Sequence, residues 1–539
     1  MRWRIRAASG RLWGISELRR QEETRSMAFT RASGLLLHPT SLPGGHGIGD
    51  LGSAAFAFVD RLAAARQQYW QVLPLGPTGY GDSPYQSFSA FAGNPLLIDL
   101  TALVEQGWLN EADLKDAPTN DGPVDYGWVF SFKTNMLRRA YTGFKEKASQ
   151  ETRDAFAVFA RDQVWLGDYA LFAALKDAHG GASWNTWEEP LVTRVPDALA
   201  EARRLHQDAI GYYQFVQWVF FDQWTRLKAH ANGQDVKIIG DIPIFVAFDS
   251  ADSWANPHLF YFDQQCAPTV VAGVPPDYFS ETGQLWGNPL YRWDGMKQRG
   301  YAWWIDRMKQ ALKLYDVVRV DHFRGFEAYW EVPAGEETAI KGRWVRGPGA
   351  DLFEALQDAL GKDLPIIAED LGVITPGVEA LRDRFELPGM KILQFSFSGP
   401  SNAYLPHNFV PNCVVYTGTH DNDTSRGWFN AAPEEEKAYA LKYMQTTEEG
   451  FTWSLIRAGM ASVAKLAVFP VQDLLDLGSE GRMNTPSVAS GNWSWRLTED
   501  QLTDAQLDRL KDLTETFGRT PESAETELPH NEEIVVEEA

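Results

Sequence analysis

The chain has 539 residues, and its 72 acidic and 50 basic residues give a formal net charge of −22 at pH 7. Such a chain is poorly suited to nucleic acid or to an anionic membrane, because both require clustered Lys and Arg. A mean hydropathy of −0.32 also excludes a polytopic membrane protein. Only Cys266 and Cys413 are cysteines, which excludes a disulfide framework and cysteine zinc clusters and predicts a reducing compartment, the cytoplasm.

The two ends of the sequence differ from the rest in composition. Residues 1–26 contain seven Arg and lack an apolar run of the length that a signal peptide needs. We therefore predict a disordered or non-native extension there, with Met27 as the natural start. Residues 521–539 contain seven Glu and no Lys or Arg, which predicts a solvated, disordered acidic tail.

Eight short apolar segments follow one another along the chain, and several end in polar, Gly or Pro residues, as buried parallel strands do. They lie at residues 34–38, 69–73, 237–242, 317–321, 365–369, 391–395, 413–417 and 466–470. Helix-like stretches lie between most of them, for example 302–314 and 375–385. This alternation predicts an α/β protein, specifically a (β/α)8 TIM barrel.

Long insertions must interrupt this barrel, since a barrel alone needs roughly 250 residues. The largest gap separates the second and third predicted strands, and within it residues 130–160 and 164–175 show helical periodicity. We predict a mainly helical insertion at about 104–230 and a catalytic barrel formed by 27–103 and 231–515. The Gly- and Pro-rich segment 270–290 is expected to be a long lid or binding loop.

Three acids follow predicted strands, at the barrel end where catalytic groups gather. Asp321 and Glu369 each end a strand, and Asp421 comes shortly after one. Arg319 lies two residues before Asp321 on the same side of the strand and would hold it ionised, as a nucleophile requires. Glu369 follows an apolar run, and partial burial would raise its pKa, as a general acid requires. Such carboxylate pairs cleave glycosidic bonds; the alternative is that these acids cap helices or form structural salt bridges.

The motifs around these acids resemble those of the amylomaltases, which are 4-α-glucanotransferases related to the α-amylase superfamily. The three segments that carry the acids are VVRVDHFRGF (317–326), IIAEDLGVITP (366–376) and VVYTGTHDNDT (414–424). The similarity extends through LLLHPTSLPGGHGIGDLG (35–52), GYGDSPYQSFSAFAGNPLLIDL (79–100) and GSEGRMN (478–484), and covers about 30 to 515. Motifs of this length are specific to the family.

The resemblance implies roles for individual residues. Asp321 matches the nucleophile that forms a glucosyl ester, and Glu369 matches the acid/base. Asp421 matches the third acid, which grips sugar hydroxyls and distorts the ring. Arg319 and His420 match residues around the sugar at the cleavage point, although THDN at 419–422 is also good turn chemistry.

Further substrate contacts are implied on the loops. Tyr85 matches a residue that stacks beneath the donor sugar, and Ser83 lies on the same loop. Gln284 and Trp286, within 270–290, match contacts to the acceptor, in a loop that resembles the one overhanging the amylomaltase cleft. Asp241, at the end of the third predicted strand, is either a sugar ligand or an acid that stabilises the barrel.

The function implied is a retaining 4-α-glucanotransferase that acts on maltodextrin or amylose, with cyclisation among its reactions. The resemblance implies no metal and no organic cofactor. α-1,4-Glucans are the expected donor and acceptor, nucleic acid and membranes are not expected partners, and a monomer is favoured. The alternatives are an α-1,4-glucan hydrolase with the same three acids and a non-catalytic glucan-binding barrel. A nucleophile also predicts carboxyl groups of Asp321 and Glu369 about 5–5.5 Å apart.

Overall fold

The computed structural model describes residues 29–119, 122–276 and 280–520. The extensions predicted at 1–26 and 521–539 lie outside the described residues. Within the described part of the chain, no helix is long and apolar enough to cross a membrane.

The described residues form twelve strands, which divide between a parallel and an antiparallel sheet. In chain order they are Ala32–Leu36 (β1), Tyr69–Gln71 (β2), Lys237–Pro243 (β3), Val270–Val274 (β4), Gln284–Pro289 (β5), Val317–Asp321 (β6), Ala328–Pro333 (β7), Arg343–Arg346 (β8), Ile366–Ala368 (β9), Gly389–Ile392 (β10), Cys413–Tyr416 (β11) and Leu466–Pro470 (β12).

Eight of these strands run parallel in the order β10-β11-β12-β1-β2-β3-β6-β9. The two ends of this series meet, because the Ala368 N–H donates to the Pro388 carbonyl oxygen just before β10, at 2.9 Å. The sheet therefore closes into a barrel. The prediction of a (β/α)8 TIM barrel is confirmed, and seven of the eight strands match their predicted bounds to within two residues.

Helices connect the strands and surround the barrel. Those of the described residues are Ser53–Ala64 (α1), Leu100–Glu105 (α2), Tyr126–Lys147 (α3), Gln150–Asp162 (α4), Leu166–Ala178 (α5), Glu189–Val192 (α6), Pro196–Leu205 (α7), Gln207–Gly233 (α8), Ala251–Ala255 (α9), Trp293–Gln298 (α10), Ala302–Leu314 (α11), Ala350–Leu360 (α12), Pro376–Arg384 (α13), Ser425–Ala431 (α14), Glu434–Met444 (α15), Phe451–Ala461 (α16), Val471–Leu474 (α17) and Asp504–Thr516 (α18).

The barrel strands are buried on both faces, which explains why they read as continuous apolar runs. On β3, Ile239 packs inside the barrel with Val317 and Ile367 of the neighbouring strands. Ile238, one residue earlier, packs outward against the surrounding helices. The strand period of two thus places consecutive apolar residues in two separate cores.

The strand predicted at 391–395 is shifted. β10 begins at Gly389 and ends at Ile392, and Leu393–Phe395 form a 3-10 turn. The physical reason is Asp370, whose carboxylate accepts a hydrogen bond from the Met390 N–H at 2.7 Å. A Cβ at position 389 would lie 2.3 Å from that carboxylate, so only Gly permits the strand to start there. The apolar run alone gave no sign of this side-chain pairing.

Between β2 and β3 the chain forms α2 to α8. The longest of these helices, α8, packs against α1 and β3, so it belongs to the ring around the barrel as well as to the helical excursion. Its buried residues include Phe215, Phe220 and Trp224.

The segment 270–290, which is predicted to be a lid or binding loop, contains two strands. β4 and β5 pair antiparallel within it, and β4 also pairs with β7, which pairs with β8. The result is a four-stranded sheet in the order β5-β4-β7-β8. Val271 packs with Val332 of β7 and Ala339 in a small core, and this long-range packing overrides the local composition.

Candidate active site

Three acidic side chains meet at the carboxyl end of the barrel. Asp321 is the last residue of β6, Glu369 directly follows β9, and Asp421 lies in the loop after β11. β6 and β9 are hydrogen-bonded neighbours, which places the first two acids side by side. The side chains of Asp321 and Asp421 are 27% and 45% exposed, so a substrate can reach both.

Arg319 contacts two carboxylates at the base of the site. Its side chain is only 3% exposed, and its Nη1 lies 3.0 Å from Asp321 Oδ1 and 2.6 Å from Asp241 Oδ2. Burial disfavours the charged guanidinium, but the two carboxylates outweigh it and hold the pKa of Arg319 well above its usual value. Because Arg319 and Asp321 lie two residues apart on β6, this ion pair fixes the direction of the Asp321 carboxylate.

Asp241, on β3, lies beneath these groups with its side chain fully buried. Its Oδ2 pairs with Arg319 and accepts a hydrogen bond from the Tyr85 hydroxyl at 2.8 Å. Burial raises the pKa of Asp241 to about 6; the Arg319 charge opposes this rise, and the Asp321 charge adds to it. These contacts favour the second of its two predicted roles, the acid that stabilises the barrel. They also make Asp241 a positioning residue for Arg319 and Tyr85.

Tyr85 covers the floor of the site from the loop after β2. Its ring stacks on His420 with 5.2 Å between centroids and 16° between planes. The Tyr85 N–H donates to Ser83 Oγ at 3.3 Å, so Ser83 shapes the loop that carries Tyr85. The structure therefore places the Tyr85 ring against His420, with Ser83 beside it.

Glu369 is held by main-chain donors. Its two carboxylate oxygens accept hydrogen bonds from the His322 N–H at 2.7 Å and the Leu371 N–H at 2.8 Å. His322 has a φ of 53°, a left-handed conformation that is costly for a residue other than Gly. Burial and the nearby Asp321 charge raise the pKa of Glu369 to about 7, against the pull of Arg319 and the two N–H donors. A carboxyl with this pKa can donate a proton near neutral pH.

Asp421, unlike Glu369, is held in the ionised state. Neighbouring protein atoms partly desolvate this carboxylate and oppose its ionisation, but His420 and a hydrogen bond from Asn484 Nδ2 to its Oδ1, at 2.6 Å, outweigh this and lower its pKa well below the usual value. His420 Nε2 lies 3.3 Å from Asp421 Oδ2. Burial disfavours the charged imidazole, yet Asp421 raises the pKa of His420 above its usual value. The site thus contains one carboxyl poised to release a proton and one that stays ionised.

Gln284 and Trp286 reach the site from β5. The Trp286 Nε1–H donates to Gln284 Oε1 at 3.1 Å. The Trp286 ring meets the His322 ring edge to face at 4.7 Å, and the backbone of His322 holds Glu369. The small sheet therefore brings both residues to the Glu369 side of the cleft.

Comparison with known proteins identifies the family of this site. The profile of the 4-alpha-glucanotransferase family, glycoside hydrolase family 77, matches residues 37–503. This chain belongs to the 4-alpha-glucanotransferase family. A Thermus thermophilus 4-alpha-glucanotransferase is 56% identical over 503 residues, which cover 92% of this chain and all of that protein. The chloroplastic/amyloplastic 4-alpha-glucanotransferase of Solanum tuberosum is 45% identical over 91% of this chain and 86% of its own.

Solved structures agree with this assignment. The amylomaltase from Streptococcus agalactiae, determined in complex with acarbose, superposes with a TM-score of 0.88 and 40% identity over 91% of this chain and all of that one. The amylomaltase from Corynebacterium glutamicum shares the fold, with a TM-score of 0.72 and 19% identity over 90% of this chain and 75% of that one. The resemblance to the amylomaltases is confirmed.

Sequence reasoning missed two residues that this 4-alpha-glucanotransferase site contains. Asn484 donates to Asp421, and Trp493 packs against both Tyr85 and His420 with centroid distances of 5.9 Å. Both come from the segment after β12. The motif GSEGRMN, which ends at Asn484, was a signal that this segment belongs with the family motifs, but it did not indicate which acid Asn484 contacts.

Metal ligands are not grouped in the part of the chain that the structure describes. Residues 29–119, 122–276 and 280–520 contain no cluster of three or more His, Cys, Asp or Glu that could hold a metal ion.

Proposed function

We propose that the chain is a retaining 4-α-glucanotransferase. It would cut an α-1,4 bond of maltodextrin or amylose and pass the donor glucan to the 4-hydroxyl of another glucan or of glucose. The observation that carries this proposal is the pairing, on adjacent strands, of Asp321 held by Arg319 with Glu369, whose pKa burial raises to about 7. A double displacement requires this combination of an ionised nucleophile and a protonated general acid.

In the first step, a carboxylate oxygen of Asp321 attacks the anomeric carbon and forms a glucosyl ester. The bond from that carbon to the glycosidic oxygen breaks, and Glu369 gives its proton to this oxygen, so the leaving glucan departs with a neutral 4-hydroxyl. Asp421, which is ionised and partly exposed, would bind sugar hydroxyls from the other side of the ring. Tyr85, stacked on His420, supplies an aromatic face beneath it.

In the second step, Glu369 is ionised and takes the proton from the 4-hydroxyl of the acceptor. The acceptor oxygen attacks the anomeric carbon, and the ester bond to Asp321 breaks. Two successive inversions retain the α configuration. When the acceptor is the far end of the same glucan, the product is a ring. Gln284 and Trp286, on the Glu369 side, are the side chains that we expect to contact the acceptor.

Proton NMR of the first-formed product tests the stereochemistry. A retaining enzyme joins the donor to the acceptor through a new α-linkage, whereas a new β-linkage would contradict the double displacement. A crystal structure with bound glucan would add the separation of the Asp321 and Glu369 carboxyl groups, which remains predicted at about 5–5.5 Å.

Incubation with maltotriose alone tests transfer against hydrolysis. Transfer releases glucose and builds a ladder of longer maltodextrins, while the number of reducing ends stays constant. Hydrolysis gives only shorter products, and reducing ends rise with each bond cut. A rise in step with cleavage would reject the transferase in favour of the hydrolase alternative, and no cleavage at all would favour the glucan-binding barrel.

We also propose a cytoplasmic monomer. Support for the compartment comes from the two cysteines, of which Cys413 is buried, and both are present as thiols. Light scattering should give a mass near 60.6 kDa; twice that mass would contradict the monomer.

A further inference from the structure

A second cavity opens on the flank of the barrel, away from the three acids. It lies between the start of α5, the short helix α9 and the outer face of α11, and its volume is about 380 Å³. A smaller cavity of about 50 Å³, which reaches Tyr85 and Asp241, shares Phe91 and Gln310 with it. The flank cavity is thus next to the wall of the catalytic site but is lined by different residues.

The walls of the flank cavity are aromatic. Phe91 and Trp165 stack with 6.3 Å between ring centroids and 21° between planes, and Trp303 meets Phe91 edge to face at 5.9 Å. Further rings pack behind this group, Phe221 against Trp165 and Tyr291 against Trp303. Rings fixed in this way offer a rigid apolar wall at little cost in side-chain entropy.

Gln310 supplies an unused polar group. It is 5% exposed and lines the cavity, yet its side-chain amide makes no hydrogen bond to any described residue. Neither amide atom is fully enclosed by protein, so the amide faces open cavity space, where a polar group is normally satisfied by water or a ligand. An amide can donate two hydrogen bonds and accept two, so Gln310 is suited to a ligand that carries both donors and acceptors.

The charged side chains around the cavity indicate the charge of the ligand that it could bind. Four carboxylates and two ammonium groups line it: Asp162, Asp168, Asp252 and Asp306 against Lys309 and Lys313. Arg161 pairs with Asp162, and Arg194 and Arg203 pair with Asp168, so neither sign of charge dominates and a neutral ligand is favoured. A purely apolar ligand would leave Gln310 unpaired. A neutral polyol with an apolar face satisfies the amide, the rings and the mixed charges together.

We propose that this flank cavity is a non-catalytic glucan site, which binds one or two glucose units of an α-1,4-glucan. The proposal rests on the proposed function, since that function brings such glucans to the protein. Once a glucan is bound in the flank cavity, its binding at the catalytic site becomes intramolecular. This raises the effective concentration of the glucan at the catalytic site. A long glucan gains from this, and maltotriose is too short to gain.

Gln310→Leu, made in the full chain, tests the proposal. Leu fills the same space, and replacing an unpaired buried amide by an apolar group should leave the melting temperature unchanged or raised. In the inactive Asp321→Ala background, we expect Gln310→Leu to weaken retardation in a native gel that contains soluble starch by about threefold or more. In the active chain, KM for soluble starch should rise by a similar factor, while kcat/KM for maltotriose stays within twofold.

A matched pair of surface variants controls for charge. Lys309→Ala removes a cavity lysine, and Lys442→Ala removes an exposed helical lysine elsewhere. Lys309→Ala alone should weaken starch retardation. Unchanged retardation in Gln310→Leu, equal losses in the two lysine variants, or an equal loss of maltotriose turnover in Gln310→Leu would each overturn the proposal. Because retardation is measured without turnover, failure of the transferase assay would leave this result interpretable.

Discussion

Two buried arginines occupy opposite ends of the barrel and have opposite kinds of partners. At the carboxyl end, Arg319 pairs with the carboxylates of Asp241 and Asp321. At the amino end, Arg519 is fully buried and donates to main-chain carbonyls, among them those of Ala32 at the start of β1 and Lys465 just before β12. Arg31 lies beside it and donates to the carbonyl oxygens of Met460 and Ser462.

The pKa values follow from these partners. Two carboxylates raise the pKa of Arg319 against burial, whereas burial and the nearby Arg31 charge lower the pKa of Arg519 to about 9. Arg319 therefore organises charges that face the substrate, and Arg519 joins strand ends and a helix end through neutral acceptors. The comparison teaches that, of these two arginines, the one with carboxylate partners belongs to the candidate active site and the one with neutral partners holds the strand ends together.

The largest expected effect is at the end with charged partners. Asp321→Ala should lower maltotriose turnover by several orders of magnitude, because no other described carboxylate stands on that strand end to form the ester. Initial rates measure the loss. Far-UV circular dichroism must show that the variant is folded, since Arg319 loses one partner. Activity within tenfold of the parent chain would remove Asp321 from the role of nucleophile.

Glu369 gives the next effect. Its free-enzyme pKa of about 7 predicts that kcat/KM for maltotriose falls about tenfold per pH unit above pH 7, because the first step needs the protonated form. Glu369→Gln should lose roughly 10²–10⁴-fold in kcat, the usual contribution of a general acid. Its residual activity should lack the alkaline limb. An alkaline limb that persists unchanged in this variant would assign that titration to another group.

Asn484 tests the contact that connects Asp421 to the segment after β12. Asn484→Ala removes a hydrogen bond to an ionised carboxylate, a contact typically worth roughly 1.5–3 kcal/mol. We expect kcat/KM to fall about tenfold to a hundredfold. Steady-state kinetics with maltotriose measure this loss, and Asn484→Asp, which places a like charge beside Asp421, should be worse than Asn484→Ala. Equal activity in the parent chain, Asn484→Ala and Asn484→Asp would show that Asp421 needs no such partner.

At the amino end we expect an effect on stability alone. Arg519→Ala leaves buried carbonyls unpaired, each at a cost of roughly 1–3 kcal/mol, and Arg31 still reaches some of the same oxygens. The free energy of unfolding should fall by about 3 kcal/mol, measured by urea denaturation, while kcat at 25 °C stays within twofold. A large loss of kcat in a folded Arg519→Ala protein would break the distinction between the two ends.

The smallest effect should come from trimming the chain. A protein that starts at Met27 and stops at Thr520 keeps Arg31 and Arg519, so it should retain full activity and an unchanged melting temperature. Stopping at Thr516 instead removes Arg519 and should destabilise the protein as Arg519→Ala does. A folded but inactive 27–520 protein would show that one of the removed ends contributes to the site.

The sequence predicted those features that depend on local spacing. Arg319 and Asp321 were placed together by the strand period, and the apolar run before Glu369 indicated its raised pKa. Asn484 could not be paired with Asp421, because 63 residues separate them and their contact depends on how a distant segment folds back. The sequence left two roles open for Asp241. The choice between them depends on how deeply its side chain is buried, and burial is a property of the tertiary structure.

Two elements were misread for related reasons. The Gly and Pro residues of 270–290 indicated a loop, yet pairing with β7 turned most of this segment into strands. At β10, the strand was predicted at the apolar run 391–395, but it starts at Gly389. There the Asp370 side chain leaves no room for a Cβ. In both places a partner far along the chain outweighed local composition.

Asp370 has a consequence for how the barrel can diverge among related sequences. Between β9 and β10 it accepts the Met390 N–H, a bond that a main-chain carbonyl would accept in an ordinary strand pair. A main-chain acceptor survives any substitution, whereas a side-chain acceptor is lost when one codon changes. The seam beside Glu369 therefore combines a main-chain bond, from Ala368 to Pro388, with a side-chain bond from Met390 that a single substitution at position 370 would remove.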